Sequence, residues 1–216
     1  MKFDLHIHSK YSYDSFLSPV KIIRIARKKG LDGVAVTDHN TIKGGVETSR
    51  INKGDDFIVI TGSEIRTEYG DIIGLFLSVE IRSQTFVEVV EEIRDQDGMV
   101  VLAHPFRKGI FPRDLLKYID LIEGFNARSP GDPNRRAEEL ARSQGMSMTA
   151  GSDAHLWFEV GRGRTIVNSE VREALKNGKT RIEGEESGYY LVHGLSVGIE
   201  KVKEVMNSER EHGLCL

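Results

Sequence analysis

The chain has 216 residues, 39% hydrophobic and 29% charged, with a formal net charge of −3. This composition supports a packed core, excludes a disordered chain and argues against a nucleic-acid binder held by a broad basic surface. The one cysteine, Cys215 in the tail, excludes an internal disulfide and suits a cytoplasmic location; no apolar run approaches the roughly 18 residues of a membrane span, and no signal-peptide core is expected.

The chain opens with "KFDLHI" (2–7), read as a strand. Ser18-Pro19 then marks a helix start, with Val20, Ile23 and Ala26 on one face until Gly30. "GVAVT" (33–37), "FIVITG" (57–62) and "DIIGLFL" (71–77) read as strands. Only "EIRTEYGD" joins the last two, too short for a crossover helix, so a hairpin-like turn is expected there. Thr85 and Glu88 form a capping-box pattern ahead of Phe86, Val89, Val90 and Ile93. After strands "MVVLA" (99–103) and "LIEGF" (121–125), Asp132-Pro133 starts a helix with Ala137, Leu140 and Ala141 inward and Gly145 as its stop. "SMTAG" (147–151) and "RTIVN" (164–168) complete the strands, and a last helix is expected over about 196–206. This alternation predicts a mainly parallel sheet, open or closed into a barrel, made irregular by the hairpin. The glycines of "GLDGVAVTD" and "VGRGRTIV" match neither a dinucleotide fingerprint nor a phosphate-binding loop.

Acids and histidines follow these strands. The end of the first carries His6 and His8, with Asp14 beyond; later ones are followed by Asp38 and His39, Glu64, His104, and Asp153 with His155. In a closed or doubly wound parallel sheet, the C-terminal strand ends share one rim. That rim gathers His6, His8, Asp14, His39, Glu64, His104, Asp153 and His155. His6 and His8, spaced i, i+2, point to one face of a strand. Any one of these histidines alone reads as an ordinary half-buried residue, but eight such groups without a metal would leave repelling carboxylates in a pocket. Imidazole and carboxylate together suit zinc, manganese or iron. His193 and His212 follow no such pattern and read as structural or surface residues.

The segments "DLHIHSKYSYDS", "VAVTDHNTI", "TGSEI", "VLAHP", "IEGFNAR" and "GSDAH" resemble, in order, those of the polymerase-and-histidinol-phosphatase (PHP) superfamily of metal-dependent phosphoesterases. The resemblance implies a distorted (β/α)7 barrel over 1–168 and a C-terminal extension, 169–216, packing on it. It also implies a site for two or three divalent ions. His6, His8, Glu64 and Asp153 would hold one; Glu64 would bridge to a second that also takes His104; Asp14, His39 and His155 would hold a third. Asn126 stands where many trinuclear members carry a histidine, so Asn126 and Glu123 are candidates for a weaker ligand or for support behind the ligands.

Three carboxylates against two or three divalent ions leave a net positive site that attracts an anion. The expected reaction is hydrolysis of a small phosphorylated metabolite or nucleotide by a hydroxide bridging two ions, held by Glu64. Asp38 would orient a ligand, shuttle a proton or cap a turn. Of the basic residues near the rim (Lys43, Arg66, Arg107, Lys108, Arg128 and Arg135), Arg66 and Arg128 directly follow strand ends and are the expected phosphate contacts. Tyr11 is read as a cover for the barrel mouth. Rival readings are an exonuclease acting on short DNA or RNA, a noncatalytic metal-binding regulatory module, and a C–N hydrolase on a similar barrel.

Overall fold

Among the described residues nine strands form one sheet in the order β7-β6-β5-β4-β3-β2-β1-β8-β9. The structure, a computed structural model, describes residues 1–213 apart from 108, 110 and 130; the side chains of 189 and 209–213 are also outside the description. Lys108, Cys215 and the side chain of His212 therefore lie outside the described residues. The strands are β1 (Lys2–Ile7), β2 (Gly33–Val36), β3 (Ile58–Thr67), β4 (Gly70–Leu75), β5 (Met99–Leu102), β6 (Leu121–Asn126), β7 (Ser147–Gly151), β8 (Gly163–Val167) and β9 (Thr180–Gly184). The helices are α1 (Pro19–Lys28), α2 (Lys43–Ile51), α3 (Phe86–Asp95), α4 (Asp132–Gln144), α5 (Val171–Lys176) and α6 (Tyr189–Gly213).

The first seven strands make a distorted barrel. β1, β2 and β3 pair in parallel, as do β5, β6 and β7. The expected hairpin is present: β3 runs to Thr67 and turns through Glu68-Tyr69 into antiparallel β4, which pairs antiparallel with β5. The ends of the barrel meet at its C-terminal rim, where His8 N donates to Ala154 O at 2.9 Å and Asp153 N to His6 O at 2.8 Å. Beyond β1, the sheet continues antiparallel through β8 and β9, past residue 168. Thr165 and Thr180 donate their hydroxyls to Ala150 O (3.1 Å) and Met148 O (2.8 Å), bracing β7 from behind.

Strict alternation along β1 would set His6 and His8 opposite Phe3 and Leu5. A bulge prevents this. Asp4 pairs with Val34 but Ile7 with Val36, so β1 spends one extra residue between them. Phe3 and Leu5 pack in a core with Ala35, Ile60 and Ile73, whereas Ile7 packs against Ile22 and Ala26 of α1. The phase changes so that His6 and His8 follow the inward side. A second bulge sits in β6, where Glu123 pairs with Thr149 and Phe125 with Ala150. It lets Glu123 and Asn126, an odd number of residues apart, touch each other, Asn126 Nδ2 donating to Glu123 Oε2 at 3.0 Å.

Local details depart from the sequence expectations in three places. In α1 the buried residues are Pro19, Ile22 and Ala26; Val20 is 64% exposed, because the barrel meets the helix one position further round. The capping box at α3 does not form: Thr85 Oγ1 bonds Glu88 Oε2 at 2.5 Å and no helix amide, while the first helical amide, Phe86 N, donates to Glu68 Oε2 from the β3–β4 turn at 2.8 Å. The last helix starts at Tyr189, not near 196. Among the described residues no helix is long and apolar enough to cross a membrane.

Candidate metal centre

The rim brings all eight candidate ligands together. His6 Nε2 lies 3.0 Å from His8 Nε2 and 3.3 Å from Glu64 Oε2. Asp153 Oδ1 is 3.2 Å from His8 Nε2 and 3.6 Å from His6 Nε2. The other Glu64 oxygen, Oε1, is 2.9 Å from His104 Nε2. Across the cluster, Asp14 Oδ2 is 2.7 Å from His155 Nε2 and 3.5 Å from His39 Nε2, and His39 Nδ1 is 3.4 Å from Glu64 Oε2. Donor atoms of His8, Asp14, His39 and His155 form one compact group; His6, His8 and Glu64 form another; His6, His104 and Asp153 a third. His104 (φ 27°) and Asp153 (φ 53°) hold left-handed backbone that side chains seldom adopt, a strain typical of functional positions.

Two features show that these donors suit cations. The first is His155. Its Nδ1 faces the Asp153 backbone carbonyl at 2.8 Å, which only accepts, so Nδ1 carries the proton. Burial, with His8 and Arg128 nearby, pushes His155 down to about 4. Its Nε2 meets Asp14 Oδ2 at 2.7 Å, and the Asp14 carboxyl lies far below the ordinary range: burial opposes this, but His155 and His39 outweigh it. An imidazole nitrogen and a carboxylate oxygen held this close are a pair of donors that one cation can share. The second is Asp14 Oδ1, a buried oxygen with no hydrogen-bond partner.

His6, His8, Glu64 and Asp153 are charged in the pattern that positive ions would replace. Burial disfavours a proton on His6, yet Asp153, Glu123 and Glu64 hold it well above its usual value. His8 is pushed up to about 9 by Asp153 and Glu64, again against burial. Burial likewise opposes ionisation of Glu64 and Asp153, but facing histidines hold Glu64 well below the carboxylate range, and His6 with Arg107 does the same for Asp153.

The cluster is held from behind. Glu123 Oε1 accepts from His6 Nδ1 at 2.9 Å, leaving Nε2 free to ligate, and its Oε2 accepts from the His104 amide at 2.9 Å. Asn126 donates to Glu123 and, at 3.3 Å, to Asp153 Oδ2. Both residues thus sit behind the ligands. Gly151 gives β7 room beside β1, since a Cβ there would fall 2.2 Å from His6 Cβ.

Of the alternatives expected for Asp38, the turn cap fits: its carboxylate does not reach the cluster but is buried against Ser9, accepting from Ser9 N at 2.5 Å and Ser9 Oγ at 2.7 Å, so it closes the turn after β1. Arg128 lines the cavity beside Asp153 and His155, but its guanidinium is committed to an internal partner. It is 6% exposed and doubly bonded to buried Glu159, at 2.8 and 2.7 Å. Arg66 stays at the rim with its side chain 63% exposed, steadied by Asp71 at 3.1 Å.

Sequence reasoning missed several contributors. Arg107, one of many basic residues by sequence, reaches Asp153 Oδ2 at 2.7 Å and Asn126 Oδ1 at 2.5 Å. Asp71, from β4, falls within ligand range of Glu64 and His104. Ser12 bonds His8 Nδ1 (3.0 Å) and accepts from His39 N (2.9 Å). Asp4 pins the turn bearing Asp153 by accepting from Ser152 N (2.9 Å) and Ser152 Oγ (2.5 Å). Tyr13, not Tyr11, covers the site, stacked on His39 with ring centres 4.8 Å apart, while Tyr11 bonds Glu47.

A family model described as PHP-associated matches residues 131–180. An uncharacterized protein of Methanocaldococcus jannaschii is 43% identical over 141 residues, covering 59% of this chain and 82% of that one. A second uncharacterized protein of the same archaeon is 34% identical over 173 residues, 74% of this chain and 68% of its own length. Among solved structures, a two-domain protein from Bacteroides vulgatus containing a predicted PHP-like metal-dependent phosphoesterase shares the fold, with a TM-score of 0.76 at 21% identity. That match covers 86% of this chain and 65% of the neighbour, so this chain spans slightly under two thirds of it.

Proposed function

The chain belongs to the PHP superfamily, and on that premise we propose that it hydrolyses a phosphate ester of a small molecule with the aid of two or three divalent metal ions. The observation that carries this reading is the convergence of eight histidine and carboxylate side chains on one buried cluster, with Asp14 Oδ1 left without a partner. His6, His8, Glu64 and Asp153 would hold one ion, Glu64 with His104 a second, and Asp14, His39 and His155 a third. Zinc, manganese and iron suit these donors. When bound, such ions polarise the ester and lower the pKa of water.

The protein's own residues prepare the site for an anion. Glu123 fixes His6 and the His104 backbone, and Arg107 with Asn126 fixes Asp153, so the donors keep one geometry. Arg66 offers an exposed guanidinium to phosphoryl oxygens at the rim. Tyr13 screens His39 from bulk water on one side. In the net reaction, water adds to phosphorus, the ester P–O bond breaks, and the alcohol leaves with a proton.

The test is direct. The purified protein is assayed for bound metal, then for hydrolysis of nitrophenyl phosphate esters, nucleotides and short oligonucleotides, before and after chelation. Hydrolysis that is lost on chelation and regained with metal supports the reading. Full metal loading with no hydrolysis of any phosphate ester sinks it.

A further inference from the structure

The helix α6 lies across the mouth of the metal centre. Val192, Ser196, Val197 and Glu200 line the same cavity, about 350 Å³ in volume, as the ligands Asp14 and His155. One turn further on, Lys203 ties the helix to the barrel. Its ammonium donates to the carbonyls of Lys10, Ser12 and Ser15 at 2.8, 2.5 and 2.5 Å, using all its donors on the loop that carries Asp14. This pinning makes α6 a wall of the site. Ser196 shows what the wall lacks: it is 5% exposed, yet its hydroxyl has no hydrogen-bond partner. A buried hydroxyl at the lining of a cavity is satisfied by what enters the cavity.

We propose that α6 is a substrate-selecting roof, admitting a small phosphate monoester with a hydroxylated leaving group, which Ser196 and Glu200 hold, and shutting out polynucleotides. This rests on the phosphoesterase reading above. The polarity of the chamber sets the orientation. Arg66 and Arg107 line the cavity near the ligands, so the phosphate lies on that side. Glu200 repels phosphate and accepts hydrogen bonds from hydroxyl groups, so the leaving group faces α6. On α6 only His193 adds polar capacity to these two contacts, beside two valines, which limits the leaving group to a short one.

The experiment uses the full chain loaded with Mn²⁺ and compares glycerol 3-phosphate and ribose 5-phosphate with nitrophenyl phosphate and a short single-stranded oligonucleotide. In the wild type, kcat/KM is expected to favour the hydroxylated esters over nitrophenyl phosphate by about tenfold, with the oligonucleotide left intact. Ser196→Ala is expected to raise KM for the hydroxylated esters about tenfold, with kcat and the KM for nitrophenyl phosphate nearly unchanged. Ser196→Thr, which keeps the hydroxyl, restores the preference. Metal content and calorimetric binding of inorganic phosphate, which has no leaving group, stay at the wild-type level in both variants. An unaltered KM in Ser196→Ala, or oligonucleotide cleavage rivalling that of the best monoester, overturns the roof and leaves a phosphoesterase standing. If the loaded wild type hydrolyses no ester, the phosphoesterase reading fails first and the roof's substrate falls with it.

Discussion

His155 and Asp14 face each other atom to atom, Nε2 against Oδ2 at 2.7 Å, while the second Asp14 oxygen has no partner. Asp14 therefore serves the site and not the fold. Asp14→Ala is expected to remove one equivalent of bound metal and lower kcat roughly 100-fold, with the melting temperature of the metal-free protein almost unmoved. Emission spectroscopy of the dialysed protein counts the ions; a full complement in the variant would refute the assignment.

Glu123 acts through His6. With Glu123→Gln the bond to His6 Nδ1 loses its charged acceptor, and metal affinity is expected to fall roughly 10- to 100-fold. Competition with a chromogenic chelator gives the affinity directly.

Metal and protons compete at His6 and His8. His8 is pushed up to about 9 and His6 is raised as well, so the metal-free protein binds protons there that its unfolded chain, near 6.5, binds less tightly. A raised folded pKa stabilises fully below 6.5, and that stability is lost as pH climbs through about 9. The chelated protein should thus melt at a lower temperature at pH 9 than at pH 6.5, and the Mn²⁺-loaded protein should show little of this decline. Calorimetric titration with metal in two buffers of different ionisation enthalpy should reveal proton release below pH 9.

Arg66 and Arg128 separate under mutation. Arg128→Ala strands Glu159 as a buried, unpaired charge and should cost about 3–5 kcal/mol in urea denaturation. Arg66→Ala, at an exposed ion pair, should leave stability within about 1 kcal/mol and raise KM for phosphate esters. Equal losses of stability would mean that the two arginines share one role.

At Gly151, an added methyl would press on His6 Cβ at 2.2 Å and Glu123 Oε1 at 2.9 Å. Gly151→Ala is expected to destabilise by roughly 1–3 kcal/mol and to weaken metal binding as well, because β1 must move away from β7. Denaturant midpoint and metal content, measured on one preparation, test both halves.

The convergence of the candidate ligands was legible in the sequence because strand ends are legible: an apolar run followed by His or Asp names both the element and its rim. Their setting was less so. The bulge in β1 leaves no mark in "KFDLHI", since Asp4 and His6 look like ordinary alternating polar residues. Arg128 follows a strand as directly as Arg66 does, and only Glu159, a distant residue, decides that its charge is spent inside the protein. Asp38 sits beside a ligand in sequence but turns to Ser9 in space. Strand β9 was missed because "TRIEG" is short and half polar, and its partner in the ladder is what makes it a strand.

The seam where β1 meets the end of β7 also sets the order in which the site can come into being. Asp14 and His155 are 141 positions apart, on opposite lips of that seam. A chain emerging from the ribosome carries five of the eight candidate ligands, through Glu64, long before the others exist, and those early donors, among them His6 and His8, have no acid from residue 153 to face. The full centre thus forms only after the last barrel strand has docked. Metal bound there would therefore certify that the barrel has been made and closed.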